Sequence, residues 1–385
     1  MSAAQAEPGW IGGRRFDLFF FFGSSALAVL LGLVVVAAPI LVVPLWWLWT
    51  WLVDGPHVVA TWARTYLDAG ERRARRGLLL GSLLFLLPGP LALGASKLTG
   101  SPAPFDLFML VAALWAYHHA VRQHYGVLSI YERLAGSSPA DRRIDTLFLQ
   151  LAMWALFALF LLAFPLNRAT LSLPAELPAA ARAGVTALAA ALGVAGLAYA
   201  GLLVARARSG RSIRPGLFAL LPVLGMSALA YFVVGAFEPL MKGPQNPEQN
   251  FLAVGIVGGM VHGLQYLGIV FAANRRRYSP EAAGPRAAER SIAATLGRAP
   301  RVAFLCFTVV SLGYLILSAA RGAPGASFYG EGSDGMRLFL GIYWGMFFHH
   351  YYIDQKIWKP HQDPALRFEL GLGPSPGGAA AVRPS

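Results

Sequence analysis

The residues in this sequence best suited to chemistry are its histidines. There are eight, and seven of them lie in apolar segments: His57, His118, His119, His124, His262, His349 and His350. An imidazole inside a membrane-type segment is costly and marks an ion path, a proton relay or a metal site. These histidines also come with partners at helical spacing. Asp54 precedes His57 by three residues, while Thr61 and Arg64 follow it on the same helical face. Gln265 and Tyr266 stand three and four residues beyond His262. Asp354 stands four beyond His350, a spacing at which a carboxylate can orient an imidazole. At about 100° per residue, His118, His119 and His124 cannot all face one point from a single helix.

The donor types narrow the chemistry. One cysteine, Cys306, excludes a disulfide framework and a thiolate cluster. Imidazole with carboxylate and tyrosine suits iron, zinc or copper. The sequence has no Gly-Lys-Ser/Thr phosphate loop, no HExxH and no serine-centred elbow to supply another catalysis.

The elements that must position these residues are apolar helices. Of 385 residues, 56% are hydrophobic and 13% charged, about half the charge of an ordinary soluble domain. Apolar runs of roughly 20 residues recur from Phe16 to Trp358, the signature of membrane-spanning helices. The expected fold is all-α, a polytopic bundle of about ten transmembrane helices. They fall near residues 17–38, 41–63, 77–96, 105–128, 145–165, 183–205, 216–237, 250–273, 302–320 and 336–357. Residues 1–15 form a short lead and 16–360 a single transmembrane domain. The Gly/Pro/Ala-rich stretch 361–385 reads as a disordered tail. In the second run, Asp54-Gly-Pro-His57 suggests a helix that breaks and restarts, with Asp54 as N-cap and Pro56 near the first helical position.

Loop charge gives an orientation. Loops after even-numbered runs are rich in Lys and Arg, as in Glu71–Arg76 and at Arg275, Arg276 and Arg277, whereas those after odd-numbered runs carry little. The positive-inside rule then puts both termini in the cytoplasm of a cell whose inner membrane holds the bundle. The same distribution accounts for the net charge of +13 without nucleic acid. Ala, Gly, Leu and Arg usage points to a bacterial, GC-rich source. The histidines fall in runs two, four, eight and ten, which share one direction, and each lies about 7–15 residues before a basic loop. Four parallel helices therefore bring imidazoles to one layer of the membrane.

The order of motifs resembles the Brp/Blh-type membrane carotene dioxygenases of prokaryotes, helical proteins whose non-haem iron is held by histidines from several spans. Pro56-His57 matches their early Pro-His, and His124-Tyr125-Gly126 a later His-aromatic-Gly. His262 ahead of the Arg275 cluster matches a third motif. His349, with Asp354 five residues on and Lys359-Pro360 behind, matches the last. Together the motifs cover about 50 residues. The chain departs where relatives place a second histidine, here Tyr266, and an acidic residue, here Thr61. The resemblance implies His57, His124, His262 and His349 as metal ligands, with His119 and His350 as contenders. Within the last pair it favours His349, whereas helical spacing ties Asp354 to His350; the resemblance tips the choice.

The function expected is an integral-membrane, metal-dependent oxidoreductase or oxygenase, with Fe(2+) foremost and zinc or copper as substitutes. It would act on an isoprenoid or other apolar small molecule drawn from the lipid bilayer. Asp54 and Asp354 would orient imidazoles, and Gln265 and Tyr266 would line the site. The alternative is a proton-coupled transporter or channel that uses Asp54, His57, Arg64, His119 and Asp354 as a relay.

Overall fold

Each apolar run folds as helix where it is described, and no strand occurs among the described residues. The computed structural model describes residues 9–163, 176–228, 247–279, 291–319 and 334–373. After a helical turn at Arg14–Asp17 and a π turn at Leu18–Phe22 come α1 (Gly23–Ala37) and α2 (Val42–Trp49). A second π turn, Thr50–Asp54, leads directly into α3 (Gly55–Arg64). Then follow α4 (Ala69–Ala74), α5 (Arg76–Ser82), α6 (Pro88–Thr99), α7 (Ala103–Leu134), α8 (Pro139–Ala163), α9 (Ala179–Arg208) and α10 (Arg214–Ala228). The last five are α11 (Pro247–Arg277), α12 (Ile292–Arg298), α13 (Pro300–Ala319), α14 (Asp334–Ile357) and α15 (Pro364–Glu369). Local chemistry sets several ends. Asp68, Ser291 and Asp363 cap helix N-termini through their side-chain oxygens. Gly100, at φ 65°, closes α6 in the left-handed region that favours glycine.

Five described helices are long and apolar enough to cross a membrane: Arg14–Val35, Arg76–Thr99, Pro139–Leu162, Ala179–Arg208 and Gly255–Arg277. The bent pair Ile292–Arg298 and Pro300–Leu312, turned by 120°, makes a sixth if it is one span. These apolar helices fit a lipid bilayer. The helices bearing His57, His119 and His350 are outside this set. The helix bearing His57 is only 10 residues long, and in the other two histidine, tyrosine and charged residues lower the apolarity that marks a span. Residues 229–237 of the seventh expected run lie outside the described residues.

The chain divides into two compact units. One comprises Trp47–Ala120 and Gly263–Ser385 with Met1–Glu7; the other comprises Pro8–Trp46 and Val121–His262. In the first, α3 packs on α13, and α14 packs on α6 and on the 3-10 turn Leu83–Leu86. Two glycines one helical turn apart permit that approach. A Cβ on Gly345 would stand 2.7 Å from the Phe85 carbonyl oxygen, and one on Gly341 2.9 Å from the Gly89 carbonyl carbon. Aromatic rings fill the seam, with Trp115 stacked on Phe348 at 4.7 Å between centroids. Gly345→Leu is expected to destabilise this unit by at least about 1–3 kcal/mol, because backbone rather than a flexible side chain must yield. Thermal unfolding in detergent measures this against Gly94→Leu, where an added Cβ meets nothing within 4 Å.

In the second unit, α8 packs on α9 and α10, and α10 on α1. A buried guanidinium fastens it: Arg206 Nη1 donates to both Asp145 oxygens at 2.7 and 2.9 Å, and the Tyr199 hydroxyl donates to Asp145 at 2.7 Å. The Asp17 carboxylate accepts from the backbone N–H groups of Ile11 and Gly12 and from Tyr131.

Part of the stretch expected to be disordered is folded. Pro364–Glu369 is helical, and Leu366, Glu369 and Leu370 are buried. Residues 374–385 lie outside the described residues.

Candidate metal centre

The local geometry around His57 starts with Pro56. The expected break at Asp54 is absent: Asp54 is helical (φ −67°, ψ −49°) and makes no side-chain cap. The chain instead widens into the π turn Thr50–Asp54, in which Gly55 N–H donates to Thr50 O. Pro56 has no N–H to offer, and with Gly55 committed to Thr50 the Trp51 carbonyl takes its hydrogen bond from Ser311 Oγ at 2.8 Å. Only glycine allows this contact, since a Cβ on Gly55 would meet Ser311 Cβ at 2.3 Å. Single π turns recur at functional sites. This one sets the rotation at which α3 presents His57.

Within the first unit, α3, α7 and α14 bring together three imidazoles. His57, His119 and His350 are all buried. Each offers a ring nitrogen within 4.8 Å of the others. The His57 and His350 rings meet edge to face at 4.4 Å, and His119 and His350 at 5.2 Å. Tyr351 stacks on His119 at 4.3 Å and limits its rotation. Three donors at metal–imidazole bonds of about 2.1 Å lie roughly 3.6 Å apart at most when evenly spread. Each of the three nitrogens therefore needs to move by up to about 0.7 Å to share one ion. The donor set fits a transition metal of the iron, zinc or copper kind.

A chain of three hydrogen bonds backs His350. Tyr266, on α11, donates its hydroxyl to Asp354 Oδ1 at 2.7 Å. Thr61 Oγ1 lies 2.7 Å from the Tyr266 hydroxyl and 2.7 Å from His350 Nδ1. Asp354 Oδ2 stands 3.5 Å from His350 Nε2 and 3.8 Å from His119 Nε2. Asp54 Oδ1 is 3.9 Å from His57 Nδ1. Gln265 is fully buried on α11. Close approach of that helix to α3 depends on Gly263, where a Cβ would meet Val53 at 2.6 Å.

The remaining histidines are placed differently. His349, one residue from His350 and so about 100° around the helix, turns to Tyr66, whose hydroxyl is 3.4 Å from its Nε2. The structure thus sets His350, rather than the resemblance-favoured His349, beside His57 and His119. His124, which the resemblance also favours, is buried on the part of α7 that belongs to the second unit. His262 ends that unit's stretch of α11, and its carbonyl accepts from Gln123 Nε2 at 2.8 Å. His118 and His361 are exposed. Sequence reasoning placed Thr61 on the face of His57 but gave it no role. Its signal was that i,i+4 spacing.

Below the imidazoles the first unit buries an ionic cluster. Arg277 reaches Asp68 Oδ2 at 2.7 Å, Glu369 Oε1 at 2.8 Å and Glu71 Oε1 at 3.0 Å. Arg64 pairs with Glu369 at 2.5 Å and lies 5.6 Å from the Trp358 ring centroid. Burial alone would raise the Asp68 carboxyl, but Arg277, the Tyr278 hydroxyl and the Glu71 N–H outweigh it and hold it below the usual carboxylate range. Glu71 is likewise held low: burial opposes ionisation, and Arg64, Arg277 and Arg75 prevail. A carboxyl whose folded value lies below its unfolded one stabilises the fold above the unfolded value, near pH 4, and loses that contribution as pH falls through the folded one. The melting temperature of the protein in detergent is therefore expected to fall below about pH 4. A profile level from pH 7 to 3 would contradict the assignment.

Comparison with known proteins adds no neighbour. No protein-family model matches the chain, and neither a curated protein nor a solved structure does.

Proposed function

We propose that the chain is a membrane metalloenzyme, with non-haem iron held by His57, His119 and His350. The observation that carries this reading is the convergence of buried imidazoles from separate helices on one point. Scattered core histidines have no reason to converge. Iron at such a site supplies a redox-active centre for dioxygen chemistry. The protein's own residues bind and orient: Asp54 and Asp354 face the imidazoles, and Tyr266 fixes Asp354. The apolar helices admit a substrate from the bilayer and exclude bulk water, which suits an isoprenoid or comparable lipid. Oxidation or oxidative cleavage is the reaction class. We further propose ten spans in the inner membrane with both termini cytoplasmic, in keeping with the alternation of loop charge.

The rival relay is less well supported. The hydrogen bonds through Asp354, Tyr266 and Thr61 lead to His350 Nδ1, one of the clustered imidazoles, instead of running along a helix. The test is iron-loaded protein in liposomes containing a long-chain polyene such as β-carotene. Stoichiometric iron with dioxygen uptake coupled to loss of polyene absorbance is expected. Protein that stays metal-free after iron supplementation, purified without chelators, would refute the metal site. Iron without turnover on any apolar substrate would refute the oxygenase.

A further inference from the structure

We infer that Thr61 is the positioning residue that commits His350 to present Nε2, rather than Nδ1, to the imidazole cluster. Three short bonds link these side chains, and each hydroxyl in the chain has a single proton to give. Asp354 Oδ1 accepts the Tyr266 proton at 2.7 Å. A phenol has one proton, so once that is given to Asp354 the Tyr266 oxygen meets Thr61 as an acceptor. The 2.7 Å contact between the two hydroxyls is then a donation from Thr61. Thr61 has spent its own single proton there, so at its 2.7 Å contact with His350 it accepts, and Nδ1 carries the hydrogen. A neutral imidazole protonated at Nδ1 has its lone pair on Nε2. That nitrogen is the one 3.5 Å from Asp354 Oδ2, toward which His119 Nε2 also points at 3.8 Å.

All four residues are buried, so bulk water does not compete for these bonds. The tautomer is therefore set by side chains from three helices before any metal arrives. Thr61 supplies what a carboxylate behind a metal-bound histidine ordinarily supplies: a fixed acceptor for the remaining N–H. Here the carboxylate acts one step removed, through Tyr266. Valine has the same shape as threonine without the hydroxyl, which makes Thr61→Val the informative change. Serine keeps the hydroxyl.

The tautomer itself is measurable without metal, by 15N NMR of histidine-labelled full-length protein in detergent, with His350→Gln identifying the His350 signals. The expected result is a proton on Nδ1 of His350 in wild type, a mixed tautomer in Thr61→Val, and retention in Thr61→Ser. The consequence for the metal rests on the iron reading proposed above. Thr61→Val and Tyr266→Phe should weaken Fe(II) binding about 10- to 100-fold, and Thr61→Ser by much less. A wild-type His350 protonated on Nε2 overturns the inference, because the bonds then run in the opposite direction. A tautomer or an affinity unchanged in Thr61→Val overturns it as well. Wild-type protein that binds no iron yet shows the Nδ1 proton refutes the metal site while leaving the positioning intact. If Thr61→Val does not fold, the wild-type spectrum alone still decides the direction.

Discussion

Replacing His57, His119 or His350 with alanine is expected to lower iron binding at least about 100-fold, leaving purified protein close to metal-free. Structural zinc sites built from four side chains are worth about 10–16 kcal/mol, roughly 3 kcal/mol for each ligand; every 1.4 kcal/mol is a factor of ten, so even a weaker-binding ion should lose about two decades with one imidazole. The alanine variants should still fold, because each removes one imidazole and leaves the glycine seam and the ionic cluster untouched. Metal analysis of detergent-purified variants measures the effect. His118→Ala and His361→Ala, at exposed positions, should keep wild-type metal content. The sharper comparison is His349→Ala against His350→Ala. His349 faces Tyr66, so its loss should cost metal only a few-fold. Equal loss from both variants would show that the helix presents its two histidines differently from the structure described here.

The second large effect concerns stability. Arg277→Met should destabilise the first unit by about 3–5 kcal/mol, since it leaves the carboxylates of Asp68, Glu71 and Glu369 buried beside a shortfall of positive charge. The melting temperature should drop on the order of 10 °C. Arg275→Met, two residues away and exposed, should change it little. Adding Asp68→Asn to Arg277→Met should recover part of the loss, because it removes one of the stranded charges. A full loss in the single variant with no recovery in the double would mean that the Arg277 stem, and not its charge, holds the unit together.

Much of this was legible in the sequence, for reasons tied to particular residues. Runs such as Leu78–Leu87 and Ala187–Leu203 are apolar enough that helix is the available way to satisfy their backbone in a bilayer. Histidine at odds with such surroundings stands out, so His57, His119, His262 and His350 were all recognisable as candidates. The rotation of each helix was not. Spacing says that Asp354 shares a face with His350, but which face looks inward is decided by Gly341 and Gly345 seating α14 on its neighbour. Motif order pointed to His349 for the same reason, since a motif carries no phase.

Glu369 was hidden differently. Its stretch is rich in glycine and proline and reads as unstructured, yet its partners, Arg64 and Arg277, lie 305 and 92 residues away. No local window contains that information. Nor does local composition separate a span from a buried helix. Histidine, tyrosine and charged residues lower the apolarity of α7 and α14, which fall outside the candidate spans.

The π turn at Thr50–Asp54 makes the site intolerant of one kind of change in particular. It holds one residue more per hydrogen-bonded ring than the α-helix on either side. Rewinding it to ordinary α turns with every residue kept would rotate everything downstream on α3 by about 100°, carrying His57, Thr61 and Arg64 away from their partners in one motion. Loss of a single residue there would instead remove the surplus and leave α3 close to its present phase. The turn works like a spacer tooth in a gear train: the contacts downstream depend on residue count and winding staying matched.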